Sequence, residues 1–174
     1  MSLIRSLLVA ALVACTGGET ETKEIVIGEY GSLTGTAATF GISTKEGIEL
    51  ATTEQNAKGG IAGIPIRIVV EDDQSKPEEA ATAVNKILSN DRPVAVLGEV
   101  SSTRSLAAAP LLQKAGVPMI SPSSTNEKVT MVGDFIFRVC FIDPFQGEAI
   151  AKFAYNDKSI RKAAILKDVK NDYS

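Results

Sequence analysis

Three short stretches of this 174-residue chain concentrate its hydroxyl groups: Gly31-Ser-Leu-Thr-Gly-Thr36, Glu99-Val-Ser-Ser-Thr103 and Ser121-Pro-Ser-Ser-Thr-Asn126. Hydroxyls supply donors and acceptors without charge. That set suits a small polar ligand, above all a carboxylate shared between O–H and backbone N–H groups. Ser and Thr are also ordinary helix N-caps, and any one stretch taken alone reads that way. The pairing of Ser101 and Ser102 with Ser123 and Thr125 on successive loops turns the reading toward a site. Acid–base and metal chemistry have little to work with. The chain has no His, which removes Ser-His-Asp triads, Cys-His dyads and His-bound zinc. Gly98-Glu-Val-Ser-Ser102 is not a G-x-S-x-G elbow, and neither G-x-G-x-x-G nor G-x-x-x-x-G-K-[ST] occurs. Glu71-Asp72-Asp73 could ligate a cation, but acids at a strand end more often cap a turn or face water. No catalytic residue, cofactor or metal is expected, and an enzyme is not the reading.

Composition agrees with a globular chain of one ordinary domain. Hydrophobic residues make up 44% and charged ones 22%, enough apolar content for a core and too little charge for disorder. The 18 Lys and Arg against 21 Asp and Glu leave a net charge of −3 with no basic cluster, so nucleic acid is not a partner. The two cysteines cannot build a disulfide scaffold. Cys140 reads as a small residue within an apolar strand. Cys15 is different. Met1-Ser-Leu-Ile-Arg5 has one positive charge, Leu7 to Ala14 is uninterrupted apolar sequence, and Leu12-Val-Ala-Cys15 then meets polar Thr16-Gly-Gly-Glu19. The run is far short of the ~20 residues that span a bilayer and fits the core of a signal peptide. Small residues before a Cys resemble a bacterial lipobox. Residues 1–14 are therefore expected to be a cleaved leader, Cys15 an acylated mature N-terminus, and residues 15–23 a polar tether on the periplasmic or extracytoplasmic face of a bacterial membrane.

From Glu24 the chain alternates short apolar runs with helical ones, the pattern of an α/β domain with a Rossmann-like parallel sheet and helices on both faces. Strands are expected at Glu24–Tyr30, Ile66–Asp73, Val94–Gly98, Val117–Ser121 and Phe135–Val139, and a last one at Ala163–Leu166. Val94–Gly98 is continuously apolar, as in a central strand buried on both faces. The partial alternation of Ile66, Ile68 and Val70 suits a strand nearer the edge. Helices are expected from about Gly41 to Ala57, from Ser75-Lys-Pro-Glu-Glu79 onward with Ala80, Ala83, Val84, Ile87 and Leu88 on one face, from Ser102 or Thr103 to Ala115, and over Phe145–Tyr155. The hydroxyl-rich stretches then follow strand ends, and ligands of open α/β sheets bind beyond those ends. Ser102 and Thr125 should converge there on one small ligand. A strand at Ala163–Leu166 followed only by polar Asp168–Ser174 would either join the first sheet or mark a truncated sequence.

The order of motifs resembles the type I periplasmic solute-binding proteins of the leucine/isoleucine/valine group. The resemblance rests on Ile25-Val-Ile-Gly28, Ser32-Leu-Thr-Gly35, Phe40-Gly41, Glu54-Gln-Asn-Ala-Lys-Gly-Gly-Ile61, Glu71-Asp-Asp73, Pro77-Glu-Glu-Ala-Ala81, Ser101-Ser102, Gly116-Val-Pro118, Ser121-Pro122 and Asn171-Asp-Tyr173. It implies two α/β lobes that close on a ligand, with lobe one at 24–140 and a hinge crossing plus the incomplete start of lobe two at 141–174. It implies an extracytoplasmic receptor that delivers a branched-chain amino acid, or a related small amino acid or amide, to ABC permease subunits. A sensing receptor of the same fold that signals to a partner protein is the alternative. By the same resemblance Ser102 and Thr125 would hold the ligand carboxylate, the Ser123 carbonyl the ammonium, and Phe40 and Tyr173 would line the side-chain pocket. The group's acidic partner for the ammonium has no counterpart here, and relatives take amides, urea and aromatic acids as well.

Overall fold

The computed structural model describes residues 23–174. The expected leader, Cys15 and nearly all of the tether lie outside the described residues. Five parallel strands form one sheet: β1 (Ile25–Gly31), β2 (Ile66–Asp72), β3 (Ala95–Leu97), β4 (Met119–Ser121) and β5 (Ile136–Arg138), in the order β2-β1-β3-β4-β5. The continuous apolar run is the central strand β3, and the alternating one is the edge strand β2; β3 is fully buried on one face only, since Leu97 on the other borders an open groove. All five carboxyl ends therefore point to one edge.

Two helices cover one face of the sheet. They are α2 (Pro77–Asn90) and α3 (Ser102–Ala115), and they pack on each other and on the strands. The core lies here: Ala80, Ala83, Val84 and Ile87 of α2 and Ala108, Ala109 and Leu112 of α3 meet Tyr30, Val96, Met119 and Ile136. The 3–4 spacing of those α2 residues is the face that is buried. Gly116, left-handed at φ 67°, closes α3, where a residue with a Cβ would be strained. The other face carries α1 (Ala38–Ala57) over β1 and β2, leaving an open apolar groove of about 580 Å³ floored by Ile27, Ile68, Leu97 and Ile120.

Three elements differ from expectation. Helix α1 begins at Ala38, a turn earlier than Gly41, because Gly35–Ala37 already turns the chain and Phe40 N–H reaches the Ala37 carbonyl at 3.0 Å. Helix α2 begins at Pro77, since the Ser75 hydroxyl is bonded across to the Thr34 carbonyl (2.8 Å) and Ala37 N–H (3.0 Å). The strand expected at Ala163–Leu166 is absent: Ile165 and Leu166 are 93% and 99% exposed in irregular backbone. An apolar tetrapeptide becomes a strand only beside another strand that takes its backbone bonds, and no described strand lies alongside. The helix foreseen over Phe145–Tyr155 is α4 (Asp143–Lys152), continued by a π turn at Phe153–Asp157.

Candidate functional site

A cleft of about 550 Å³ lies at the carboxyl edge of the sheet. Most of its walls come from strand ends. The loop after β1 brings Thr36 and Ala37, with Phe40 following in the first turn of α1; the loop after β3 brings Val100 and Ser101; the loop after β4 brings Ser123 and Thr125; and Cys140 and Phe141 follow β5. Asn171 and Tyr173 close it from the far end of the chain, held by the Asp172 N–H donating to Thr103 Oγ1 at 2.9 Å.

The serines of these loops brace the site more than they cap helices. Ser101 stands at the N-cap of α3 with no side-chain capping bond, and its N–H is satisfied instead by the Glu99 carboxylate. The Glu99 carbonyl accepts from Ser121 Oγ at 2.7 Å, Ser124 Oγ at 2.9 Å and Ser105 Oγ at 3.1 Å, which locks the β3 and β4 loops together. Arg138 of β5 shapes the loop around Thr125. Its guanidinium donates to the carbonyls of Ser124 (2.7 Å), Asn126 (2.7 Å) and Glu127 (3.0 Å), and to Thr130 Oγ1 (2.7 Å).

The five anticipated residues are not equivalent. Thr125 lines the cleft, is 5% exposed, and its Oγ1 has no hydrogen-bond partner among the described residues. Ser123 also lines the cleft and donates its hydroxyl to the Val100 carbonyl at 3.2 Å. Phe40 and Tyr173 face the opening, 65% and 52% exposed. Ser102 is not part of the lining. It is 1% exposed, and its Oγ accepts the Asn126 N–H at 3.2 Å, so it braces the β4 loop beside Thr125. Cys140 is not the core residue of an apolar strand: it lies past β5, half-buried against the cleft, where burial pushes its thiol up despite the nearby Arg138.

Sequence reasoning passed over an ionic cluster beneath this cleft. Arg104 of α3 lies between Asp73, at the end of β2, and Glu99: its Nε is 3.6 Å from Asp73 Oδ2 and 3.1 Å from Glu99 Oε2. Ser32 joins the two acids, its Oγ 2.6 Å from Asp73 Oδ1 and 3.2 Å from Glu99 Oε1. Burial pushes the Glu99 carboxyl up; Arg104 pulls against it and Asp73 adds to it. Two acids at strand ends and an Arg one turn into the next helix were the available signal. The neighbouring Asp72 holds the β1 loop, accepting from Leu33 N–H at 2.9 Å and Thr34 Oγ1 at 2.6 Å. Its burial raises the carboxyl, but these bonds outweigh that and leave it below the usual range. Glu71 pairs with Lys86 at 2.7 Å. The acidic triplet therefore divides: Glu71 pairs at the surface, Asp72 holds a turn and Asp73 belongs to the buried cluster.

The sequence profile of the periplasmic binding protein family matches residues 24–174. An amino acid binding protein of Pseudomonas aeruginosa is 32% identical over 166 residues, which is 94% of this chain and 44% of that protein. A leucine binding protein of Thermotoga maritima superposes with a TM-score of 0.81 at 39% identity, covering 86% of this chain and 42% of that one. A branched-chain amino acid transporter substrate binding protein of Streptococcus pneumoniae, solved in complex with isoleucine, gives 0.76 at 36% identity, covering 79% and 39%. The chain spans less than half the length of these relatives.

Proposed function

We infer the function from one premise: the chain belongs to the periplasmic binding protein family, whose members are solute-binding proteins of the extracytoplasmic space and not enzymes. The chain is the lobe-one half, over residues 24–140, of the substrate-binding component of an ABC importer. Residues 141–174 cross the hinge and begin lobe two. Its ligand is a branched-chain amino acid or a close small analogue, and its partners are the permease subunits that receive it. The observation that carries this reading is the unpartnered Thr125 hydroxyl in a cleft at the sheet's carboxyl edge, among Ser123, Phe40 and Phe141. A buried hydroxyl left without a partner costs about 1–3 kcal/mol, so such a group points to a ligand that completes it. Phe40 and Phe141 suit an aliphatic side chain.

Isothermal titration with L-leucine, L-isoleucine, L-valine and acetamide tests the reading. Weak binding of at least one branched-chain amino acid, as suits a lobe-one half-site, and a further loss in Thr125→Ala are the expected result; binding of acetamide in preference to all three amino acids would refute it. Cys15 is the mature, acylated N-terminus that tethers the domain to the membrane. Intact-mass measurement of the exported protein should show a chain beginning at Cys15 with added acyl mass, and export with Met1–Ala14 retained would refute this part.

A further inference from the structure

The buried cluster beneath the cleft holds two acids and one cation. Asp73 and Glu99 are 0% and 1% exposed, and Arg104 is the cation among the described residues that pairs with both. Fully ionised, the three would bury an uncompensated negative charge, which is costlier than holding a proton. One proton balances the cluster, and a count of hydrogens says where it fits. Ser32 has a single hydroxyl hydrogen, yet its Oγ touches both acids. The 2.6 Å contact to Asp73 Oδ1 has the length of a hydroxyl donating to an ionised carboxylate, so the hydrogen lies there. Asp73 Oδ1 also accepts the Ser75 N–H at 2.9 Å, and Oδ2 has no partner among the described residues, so a proton on Asp73 would find no acceptor. Glu99 Oε1, at 3.2 Å, faces a Ser32 oxygen whose hydrogen is already committed. A proton on Oε1 donates to that oxygen, and Oε1 can still accept the Ser32 N–H at 3.3 Å. Oε2 then faces donors only, the Ser101 N–H and Arg104 Nε at 3.1 Å, as the carbonyl oxygen of a protonated carboxyl should. Burial raises the Glu99 carboxyl in the same sense.

We propose that Glu99 is protonated on Oε1 in the native protein, with Asp73 as the anion, and that this proton positions the cleft by bonding the loop after β3 to the loop after β1. Those two loops carry Thr36, Ala37, Val100 and Ser101 of the cleft wall. Loss of the proton sets two anions against one hydroxyl hydrogen and frees the β1 loop from Glu99. Glu99 is thus a positioning residue. The titratable and charged groups that face it are Arg104 from α3, Asp73 from the end of β2 and Tyr30 from β1. Burial holds the Tyr30 hydroxyl above its usual range, so it stays neutral, and the β4 loop presents the hydroxyls of Ser121 and Ser124 to the Glu99 carbonyl. Because the fold raises Glu99 above 4.5, its contribution is complete below that value and is lost as pH rises through the folded one.

Carbon-13 NMR of the whole chain, labelled at glutamate carboxyls, tests the proposal. The resonance missing from Glu99→Gln should stand at the protonated position at about pH 6, where a free glutamate is ionised. Glu99→Gln replaces the O–H by an amide N–H and should melt within about 2 °C of the wild type at about pH 7. Asp73→Asn removes the anion that Arg104 needs and should melt about 10 °C lower. As the pH is raised until the Glu99 resonance moves, the Thr36 and Ala37 amide resonances should move with it, and should not do so in Glu99→Gln. A Glu99 resonance at the ionised position at that first pH, or a loss in Glu99→Gln equal to that in Asp73→Asn, would overturn the proton. If Asp73→Asn does not fold, the Glu99 resonance decides. Thr36 and Ala37 amides that stay fixed while Glu99 titrates would overturn the positioning role. None of these readouts needs a ligand, so the solute-binding reading stands or falls separately.

Discussion

Glu29 gives the sharpest test of the packing described above. It lies on β1, opposite Val70 of β2 and Leu97 of β3, on the sheet face covered by α1. It is 2% exposed, and its Oε2 has no partner among the described residues. Burial raises its carboxyl from 4.5 to about 7; Lys45 on α1 draws it down and Glu49 pushes it up. Between those limits the folded chain holds a proton that the unfolded chain has released. Stability must therefore fall as pH rises from about 4.5 to about 7 and level off above. At ~1.4 kcal/mol per pH unit the full span corresponds to about 3 kcal/mol, and water in the open groove beside Leu97 reduces this to roughly 2 kcal/mol. Glu29→Gln removes the titration and keeps the shape. Urea unfolding at constant ionic strength, at about pH 5 and pH 8, should show the variant gaining roughly 2 kcal/mol on the wild type between the two conditions. The same stability difference at both pH values would refute the reasoning, for it would mean that Glu29 ionises freely in the folded chain.

Thr125→Val keeps the volume and removes an unpartnered hydroxyl, so thermal unfolding should be unchanged or improved by up to about 1 kcal/mol, while leucine affinity falls about tenfold. Arg138→Met strips the donors from three carbonyls around Thr125 and should cost about 3 kcal/mol in a denaturant melt; a loss under about 0.5 kcal/mol would show that the loop holds itself. Gly41→Ala places a Cβ 2.0 Å from the Ser32 carbonyl oxygen, backbone that cannot step aside cheaply. That substitution should push α1 off the β1 loop, cost about 1–3 kcal/mol in a thermal melt, and weaken leucine through the displaced Phe40.

Much of the fold was legible because it is written in local periodicity. The apolar face of α2, the unbroken run of β3, the alternation of β2 and the glycine after α3 each report a local environment through residue spacing alone. So did the placing of the hydroxyl-rich loops after strand ends, from which a cleft at the carboxyl edge follows once the sheet is parallel. Periodicity misled at Ala163–Leu166, where apolar content was present but the neighbouring strand was not. Within the site, the sequence indicated Ser102 and Thr125 as equals, yet the Ser102 oxygen accepts the Asn126 N–H while the Thr125 hydroxyl has no partner among the described residues. Asp73 and Glu99 at strand ends and Arg104 in the first turn of α3 could each be noted in the sequence, but nothing in their spacing says that they meet, because the ends of β2 and β3 and the start of α3 converge only in the folded chain. Residue spacing determines which side of an element faces inward, since that depends on a few neighbours along the chain. Which polar groups find a partner depends on chain segments that are remote in sequence, so the tertiary structure alone decided which hydroxyls and carboxylates are paired and which are not.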